Sequence, residues 1–183
     1  MRSSVTSQTI ASIYVPSEKS EEKWIENAYE SKTDFVMGVE VDSKLIGIWS
    51  AHFDGNNATT GSMITIADYR GKGIGSVAHM FRNWYLFTQL KEPRFKLKST
   101  VHWDEKSGLI NPASRRTLEK SGYVQTGILR GEHFKSGRLT DVIQLECYNP
   151  WLFNPYDYEG EVQEAILRTV SALKFVEENK VLV

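Results

Sequence analysis

The chain of 183 residues carries one cysteine, Cys147, and no apolar run near the ~20 residues that a membrane helix needs. A lone thiol excludes an intrachain disulfide and any cysteine-built metal cage. Residues 1–10 are rich in Ser and Thr and lack the apolar stretch of a secretory signal, so a cytoplasmic setting is expected. An excess of charge of one sign is also missing. Lys and Arg number 22 and Asp and Glu 23, a formal net charge of -1, which gives no electrostatic reason to expect nucleic acid or an anionic membrane as partner. No internal repeat, low-complexity tract or linker divides the chain, and its length suits one well-filled core, so residues 1–183 are expected to form a single domain.

Periodicity supplies the elements. The stretch 17–30 fits a helix with Trp24, Ile25 and Ala28 as its apolar stripe. Strands are expected over 35–41 and 45–53, joined at Asp42-Ser43-Lys44 as a hairpin. The turn formers Asp54-Gly55-Asn56-Asn57 lead to a third strand ending near Ile66. Val77, Met80, Phe81, Trp84 and Phe87 then recur at helical spacing over 75–90. A strand over 95–103, a short helix over 112–121 and strands over 123–129 and 140–148 follow. Beyond an aromatic, Pro-containing stretch at 149–158, a helix at about 161–178 shows one apolar face of Val162, Ile166, Val170 and Leu173. That face must be buried against the domain or another subunit. The order predicts a mixed α/β fold that is largely antiparallel at its start.

The chemistry-bearing feature is Arg70-Gly71-Lys72-Gly73-Ile74-Gly75, between a strand and a helix. Glycines there remove the Cβ atoms that keep a ligand from the backbone, and a helix start offers unpaired N–H groups with a partial positive charge. A diphosphate fits such a nest, with Arg70 and Lys72 adding charge at its rim. A tight turn that only packs the helix on the sheet is the alternative. The spacing is not that of a dinucleotide fingerprint, and Lys72 is followed by Gly73 rather than the Ser or Thr of a nucleotide P-loop.

Two motifs carry a resemblance. The glycine turn matches the Arg/Gln-x-x-Gly-x-Gly/Ala signature of the GNAT superfamily of N-acetyltransferases. Asn111-Pro112-Ala113-Ser114, followed by Leu118-Glu119-Lys120-Ser121-Gly122-Tyr123, resembles the RimJ/RimL-like branch, as do Gly127-Ile128-Leu129-Arg130 and Asp141. The resemblance covers about 24–148, leaving 149–183 as a C-terminal extension. It implies a GNAT-like central mixed, mostly antiparallel sheet flanked by helices, with an extra C-terminal helix. It also implies acetyl-CoA as cosubstrate, no metal, and an amine acceptor: a protein N-terminus or, as runner-up, a polyamine or other small amine. Backbone groups of Met63, Ile64 and Thr65 would pair with the pantetheine arm, and the N–H groups of Gly71, Lys72, Gly73, Ile74, Gly75 and Ser76 would hold the pyrophosphate. Asn111 would face the pantetheine or thioester, and Lys120 the far end of the cofactor. By its residues alone Asn111 is as naturally a helix cap before Pro112.

Acetyl transfer to an amine requires a neutral amine, a stabilised oxyanion and a proton for the leaving thiolate. An α-amino group with a pKa of about 7.7–8.0 is already neutral in roughly a tenth of molecules at pH 7, so an N-terminal acceptor asks little of a base. Many members of the superfamily place an acidic Tyr where this chain has Leu118, and the branch offers Ser114 instead. Its base position matches His133, with Glu132 adjacent, and a neutral imidazole suits base work near pH 7. Exposed polar side chains and a helix cap are the competing readings. His52 and Asp54 are reserves near the same cleft, while His79 and His102 lack ligand-like spacing. Residues 102–110 form an insertion beside the acceptor cleft, where Asp104 and Glu105 could attract a cation. The family's first strand and helix lack residues before Trp24, so a homodimer that covers a sheet edge is expected. The vacant Tyr position and abbreviated start also fit a non-catalytic coenzyme A-binding module.

Overall fold

Two tight hairpins lay down the first half of the sheet. In the computed structural model, which describes residues 18–104, 108–109, 112–135 and 138–179, the strand Asp34–Val41 (β1) turns directly into Lys44–Asp54 (β2). Asp42 and Ser43 take φ of 50° and 60°, the double positive φ that matches a two-residue loop to the twist of its strands. Gly55, at φ 55°, performs the next turn into Asn57–Ile64 (β3), where Asp54 pairs with Asn57. Strand β3 stops two residues before the expected Ile66, because Thr65 and Ile66 both turn their N–H groups onto the Ile46 carbonyl, at 2.9 and 3.5 Å.

A 3-10 turn (Ala67–Tyr69) and the glycine turn lead to the helix Ile74–Thr88 (α2, after the N-terminal helix α1, Glu18–Glu30). Next come Lys96–Asp104 (β4), the two-residue Gly108–Leu109 (β5), Pro112–Lys120 (α3), Val124–Lys135 (β6) and Arg138–Tyr148 (β7). The 3-10 turn Pro155–Asp157 and the helix Gly160–Glu178 (α4) complete the described chain. The strand order is β1-β2-β3-β4-β7-β6, with β5 folded back on β4, and β3–β4 is the one parallel pair. No helix among the described residues is long and apolar enough to cross a membrane.

Strand β6 runs six residues beyond the expected Leu129. The ladder breaks between Leu129 and His133, where Gly131 takes φ 62°. The Asp141 carboxylate fills that break, accepting from Gly131 N at 2.8 Å and Arg130 Nη1 at 2.6 Å. A bulge of this kind destroys the period-2 pattern by which a strand is recognised. It puts Glu132 and His133 inside a strand rather than at its end.

One sheet face carries the core. Ala51, Ala58, Leu97, Val101, Ile143 and Leu145 meet Leu86 and Phe87 of α2, Leu118 of α3 and Leu173 of α4. The apolar face of α4 is therefore buried within this domain, with Ala165, Ile166, Thr169, Leu173 and Val176 covered. The expected stripe of α1 fares differently: Trp24 and Ile25 are each 48% exposed. Helix α4 is seated where the chain leaves α3. Gly122, at φ 93°, lies so close that an added Cβ would stand 2.0 Å from Thr169 Oγ1 and 2.9 Å from Thr169 Cα. Gly122→Ala thus combines overpacking with left-handed backbone strain and should destabilise the fold by about 2–5 kcal/mol. Urea unfolding measures it; a loss below about 1 kcal/mol would contradict this seating.

Candidate functional site

The parallel pair β3–β4 holds for three residue pairs only, Asn57↔Lys96, Ala58↔Leu97 and Thr59↔Lys98. Beyond them, side chains replace the ladder: Thr60 Oγ1 donates to the Lys98 carbonyl at 3.0 Å and Ser99 Oγ to the Thr60 carbonyl at 3.2 Å. From that fork β3 continues to Ile64 on β2, while β4 stays bonded to β7 as far as Trp103↔Asp141. A wedge opens between two strands whose facing edges carry backbone donors and acceptors, which demand partners.

The glycine turn closes the end of the wedge. Gly71 and Gly73 take φ of 75° and 85°, and a Cβ on either would meet nothing within 4 Å. Gly73 is the N-cap of α2 and brings no side-chain cap. The N–H groups of residues 71–75 have no acceptor among the described residues, so the start of α2 presents bare donors on an open surface. Gly75 differs: its Cβ would make an ordinary 3.8 Å contact with Thr117 of α3. Arg70 does not serve the rim as expected. Its Nε and Nη2 donate inward to the carbonyls of Ile64 and Thr65, at 2.9 and 3.2 Å, tying the turn to β3. Beside the turn, Lys72 and Lys44 both stand over the Tyr69 ring, at 5.7 and 5.8 Å. Lys44 comes from the first hairpin, and no sequence signal linked it to the turn.

Beneath the fork lies a polar cluster. Arg82 of α2 is fully buried, with no carboxylate partner among the described residues. Its guanidinium donates to neutral acceptors: Tyr123 Oη at 2.8 Å, Asn83 Oδ1 at 3.2 Å, His79 Nδ1 at 3.3 Å and the Gly61 carbonyl at 3.4 Å. Burying a charge this way costs several kcal/mol after relaxation. Tyr123 continues the chain to Thr60 Oγ1, 2.9 Å away, and burial pushes its hydroxyl pKa up to about 12. His79 is buried and held well below the ordinary imidazole range, first by desolvation and then by the Arg82 charge. A guanidinium only donates, so His79 Nδ1 accepts and Nε2 carries the proton. That Nε2–H donates to the Ser62 hydroxyl, which is exposed on β3 just past the fork.

The remaining candidates lie on several elements. Ser114 is half-buried in the first turns of α3, and Lys120 is exposed at its end, lining a hollow of about 420 Å³ with Arg115 and Arg168. Asn111 lies outside the described residues. Leu118 is a core side chain, 1% exposed, so no acid occupies that position. His133 pairs with Thr140 and His102 with Val142, so both project from the sheet face opposite α2, α3 and α4, with ring centroids 4.8 Å apart. Glu132, exposed, points to the other face. His102 begins the insertion, whose Gly108 and Leu109 pair back on Asp104 and Trp103; residues 105–107 and 110, Glu105 included, lie outside the described set. His52 is partnered by Asp34 at 2.8 Å, not by Asp54, and stands beside Thr59 at the closed end of the fork. Sequence spacing could not reveal the Arg82–His79–Ser62 chain, because helix and strand approach only in the folded sheet.

No protein-family model and no curated protein matches this chain. Solved structures do. A spermidine N-acetyltransferase from Vibrio cholerae, in complex with CoA and spermine, superposes with a TM-score of 0.70 at 20% identity, covering 84% of this chain and 88% of that one. RimJ from Mycobacterium smegmatis, in complex with CoA-disulfide, gives 0.62 at 20% identity over 84% and 67% of the two chains. A ribosomal-protein-alanine N-acetyltransferase from Brucella melitensis gives 0.60 at 18% identity over 76% and 83%. The chain therefore has the GNAT acetyltransferase fold.

The neutral His79 makes stability pH-dependent. Below about pH 6.5 the unfolded chain takes up a proton that the folded one refuses. Stability is thus fully present above that pH and lost as pH falls, by up to about 1.4 kcal/mol per pH unit. Urea unfolding at intervals from about pH 7.5 to about pH 5 should show this slope, and His79→Gln should flatten it.

Proposed function

We propose that this chain is an acetyl-CoA-dependent N-acetyltransferase of the RimJ/RimL-like kind, with a protein N-terminal amine as acceptor. The observation that carries the reading is the β3–β4 wedge ending at bare N–H groups on the start of α2. A diphosphate suits the open surface over Gly71 and Gly73, and an amide-bearing arm suits the unpaired strand edges. Acetyl-CoA brings the activated acyl group; the chain's residues bind, orient and handle protons. Residues 71–76 would hold the pyrophosphate, with Lys72 and Lys44 supplying charge. Ile64 and Thr65 already lend their carbonyls to Arg70, Thr65 gives its N–H to Ile46, and Met63 stands opposite Ile48 in the β2–β3 ladder, so part of the backbone that would pair the arm is already engaged.

The thioester would lie in the wedge itself, between the sheet face that bears His102 and His133 and the helix side that bears Ser62. His133 is the candidate base and Ser114 a candidate donor on the helix side. An α-amine, partly neutral at pH 7, needs only modest help from a base. A polyamine is the second reading, favoured by a hollow of about 340 Å³ beside α1 that Glu30, Asp34 and Trp24 line. Strands β1 and β6 end the sheet without a strand neighbour among the described residues, which supports a homodimer through one edge.

The test is incubation with acetyl-CoA and a panel of peptides and polyamines, monitoring released thiol. Cys147 does not interfere, since burial pushes its thiol pKa up to about 12. Thiol release with N-terminal peptides is expected; release with polyamines alone selects the second reading, and cofactor binding without release selects a non-catalytic module. Gly73→Val should weaken coenzyme A binding at least about tenfold, read by calorimetry, with a stability loss of only about 1–2 kcal/mol because no atom obstructs the new side chain. His133→Ala should reduce kcat/KM most at low pH, where the amine arrives protonated; an unaltered pH–rate profile removes His133 as base.

A further inference from the structure

We infer that Ser62 is a catalytic hydrogen-bond donor to the thioester sulfur, with His79 and Arg82 as the positioning residues behind it; this rests on the acetyl-transfer reading above. Ser62 has one proton to give and accepts one from His79 Nε2, its only partner among the described residues. The direction of that bond is set from behind, since Arg82 Nη2 donates into Nδ1 at 3.3 Å and leaves Nε2 as the protonated nitrogen. The Ser62 proton therefore has no acceptor among the described residues, and the residue is exposed on β3 past Thr59↔Lys98, where the wedge begins.

Arg82 explains why the chain is polar at all. It is a fully buried cation surrounded by neutral acceptors, and its Nε has no partner among the described residues. A neutral side chain of similar shape would fill the site with less desolvation. A cation held this way favours negative charge appearing at the fork, and the thiolate is the anion that acyl transfer creates there. The position that the family resemblance gives to a tyrosine donor holds the buried Leu118 instead. In the step, the amine nitrogen bonds to the acyl carbon and the C–S bond breaks with both electrons passing to sulfur. Ser62 keeps its proton and hydrogen-bonds to the sulfur as charge builds. The proton shed by the nitrogen passes to His133, the candidate base, and from there through water to the thiolate, so amide and free thiol result.

The test compares coenzyme A with desulfo-coenzyme A, by calorimetry from about pH 7 to about pH 10, on wild type, Ser62→Ala, Ser62→Thr and His79→Gln. In the wild type, coenzyme A should gain about 10- to 100-fold in affinity over the desulfo compound as its thiol ionises in the site, the range of a charge-assisted hydrogen bond. Ser62→Ala and His79→Gln should lose that gain and Ser62→Thr keep it. With acetyl-CoA and an amine, Ser62→Ala should lower kcat by a similar factor at unchanged KM for acetyl-CoA. Parallel pH dependences for the two compounds in the wild type, or an undiminished gain in Ser62→Ala, overturn the inference. Ser62 is exposed, so its alanine variant decides the matter even where His79→Gln fails to fold. Absence of thiol release from the wild type with every amine overturns the acetyl-transfer reading instead, and the binding comparison still judges Ser62.

Discussion

Between β3 and β4 the backbone ladder lasts three residue pairs, and at Thr60 and Ser99 two hydroxyls cross over to the facing carbonyls in its place. This exchange ends the pairing cleanly, because it satisfies the first backbone groups that the ladder abandons. Behind it, Tyr123 reaches Thr60, and Arg82 reaches Tyr123 and the Gly61 carbonyl. The fork is thus pinned from the helix side by a buried polar chain. With the strands held together below and apart above, the sheet gains a wedge without a loose edge. The glycine turn, tied back to β3 by Arg70, then sets the start of α2 at the open end.

The C-terminal helix supports this arrangement from a distance. Helix α4 packs its buried face on the layer that holds α2 and α3, and Thr169 nests against Gly122, its hydroxyl 3.3 Å from the Cys147 sulfur. Gly122 immediately precedes Tyr123. Seating α4 there fixes the chain that delivers the Tyr123 hydroxyl to the fork, so a residue late in the sequence braces the polar chain below the wedge. The close approach needs a residue without a Cβ and with a positive φ, which glycine alone meets at low cost.

The two faces of the sheet divide the work. Core side chains with α2, α3 and α4 occupy one face, where the neutral His79 and the cation of Arg82 lie in a low-dielectric setting that magnifies their influence. The opposite face carries His102 and His133 in ring contact. Chemistry at the wedge can thus draw on a cationic, proton-donating side and an imidazole-bearing side, separated by the thickness of one strand layer.

Much of the architecture was legible in the chain itself. Tight turns at Asp42-Ser43 and Gly55, the helical recurrence from Val77 to Phe87 and the apolar face around Ile166 and Leu173 are local patterns, and local backbone preferences and periodicity specify them. The glycine turn was legible for the same reason, since φ of 75° and 85° at Gly71 and Gly73 is a property of those residues. Long-range placement was not. The bulge at Gly131 hid the second half of β6, Arg70 turned inward where a rim cation was expected, and the Asp34 partner of His52 lies 18 positions away on the neighbouring strand. The end of the β3–β4 ladder and the approach of Arg82 and His79 to Ser62 join residues about 20 to 60 positions apart. By itself, then, the sequence determined most of the elements and the glycine turn, because these depend on neighbours along the chain. Only the tertiary structure decided where the strands part and which hydroxyl faces the gap, because those depend on which distant side chains desolvate together.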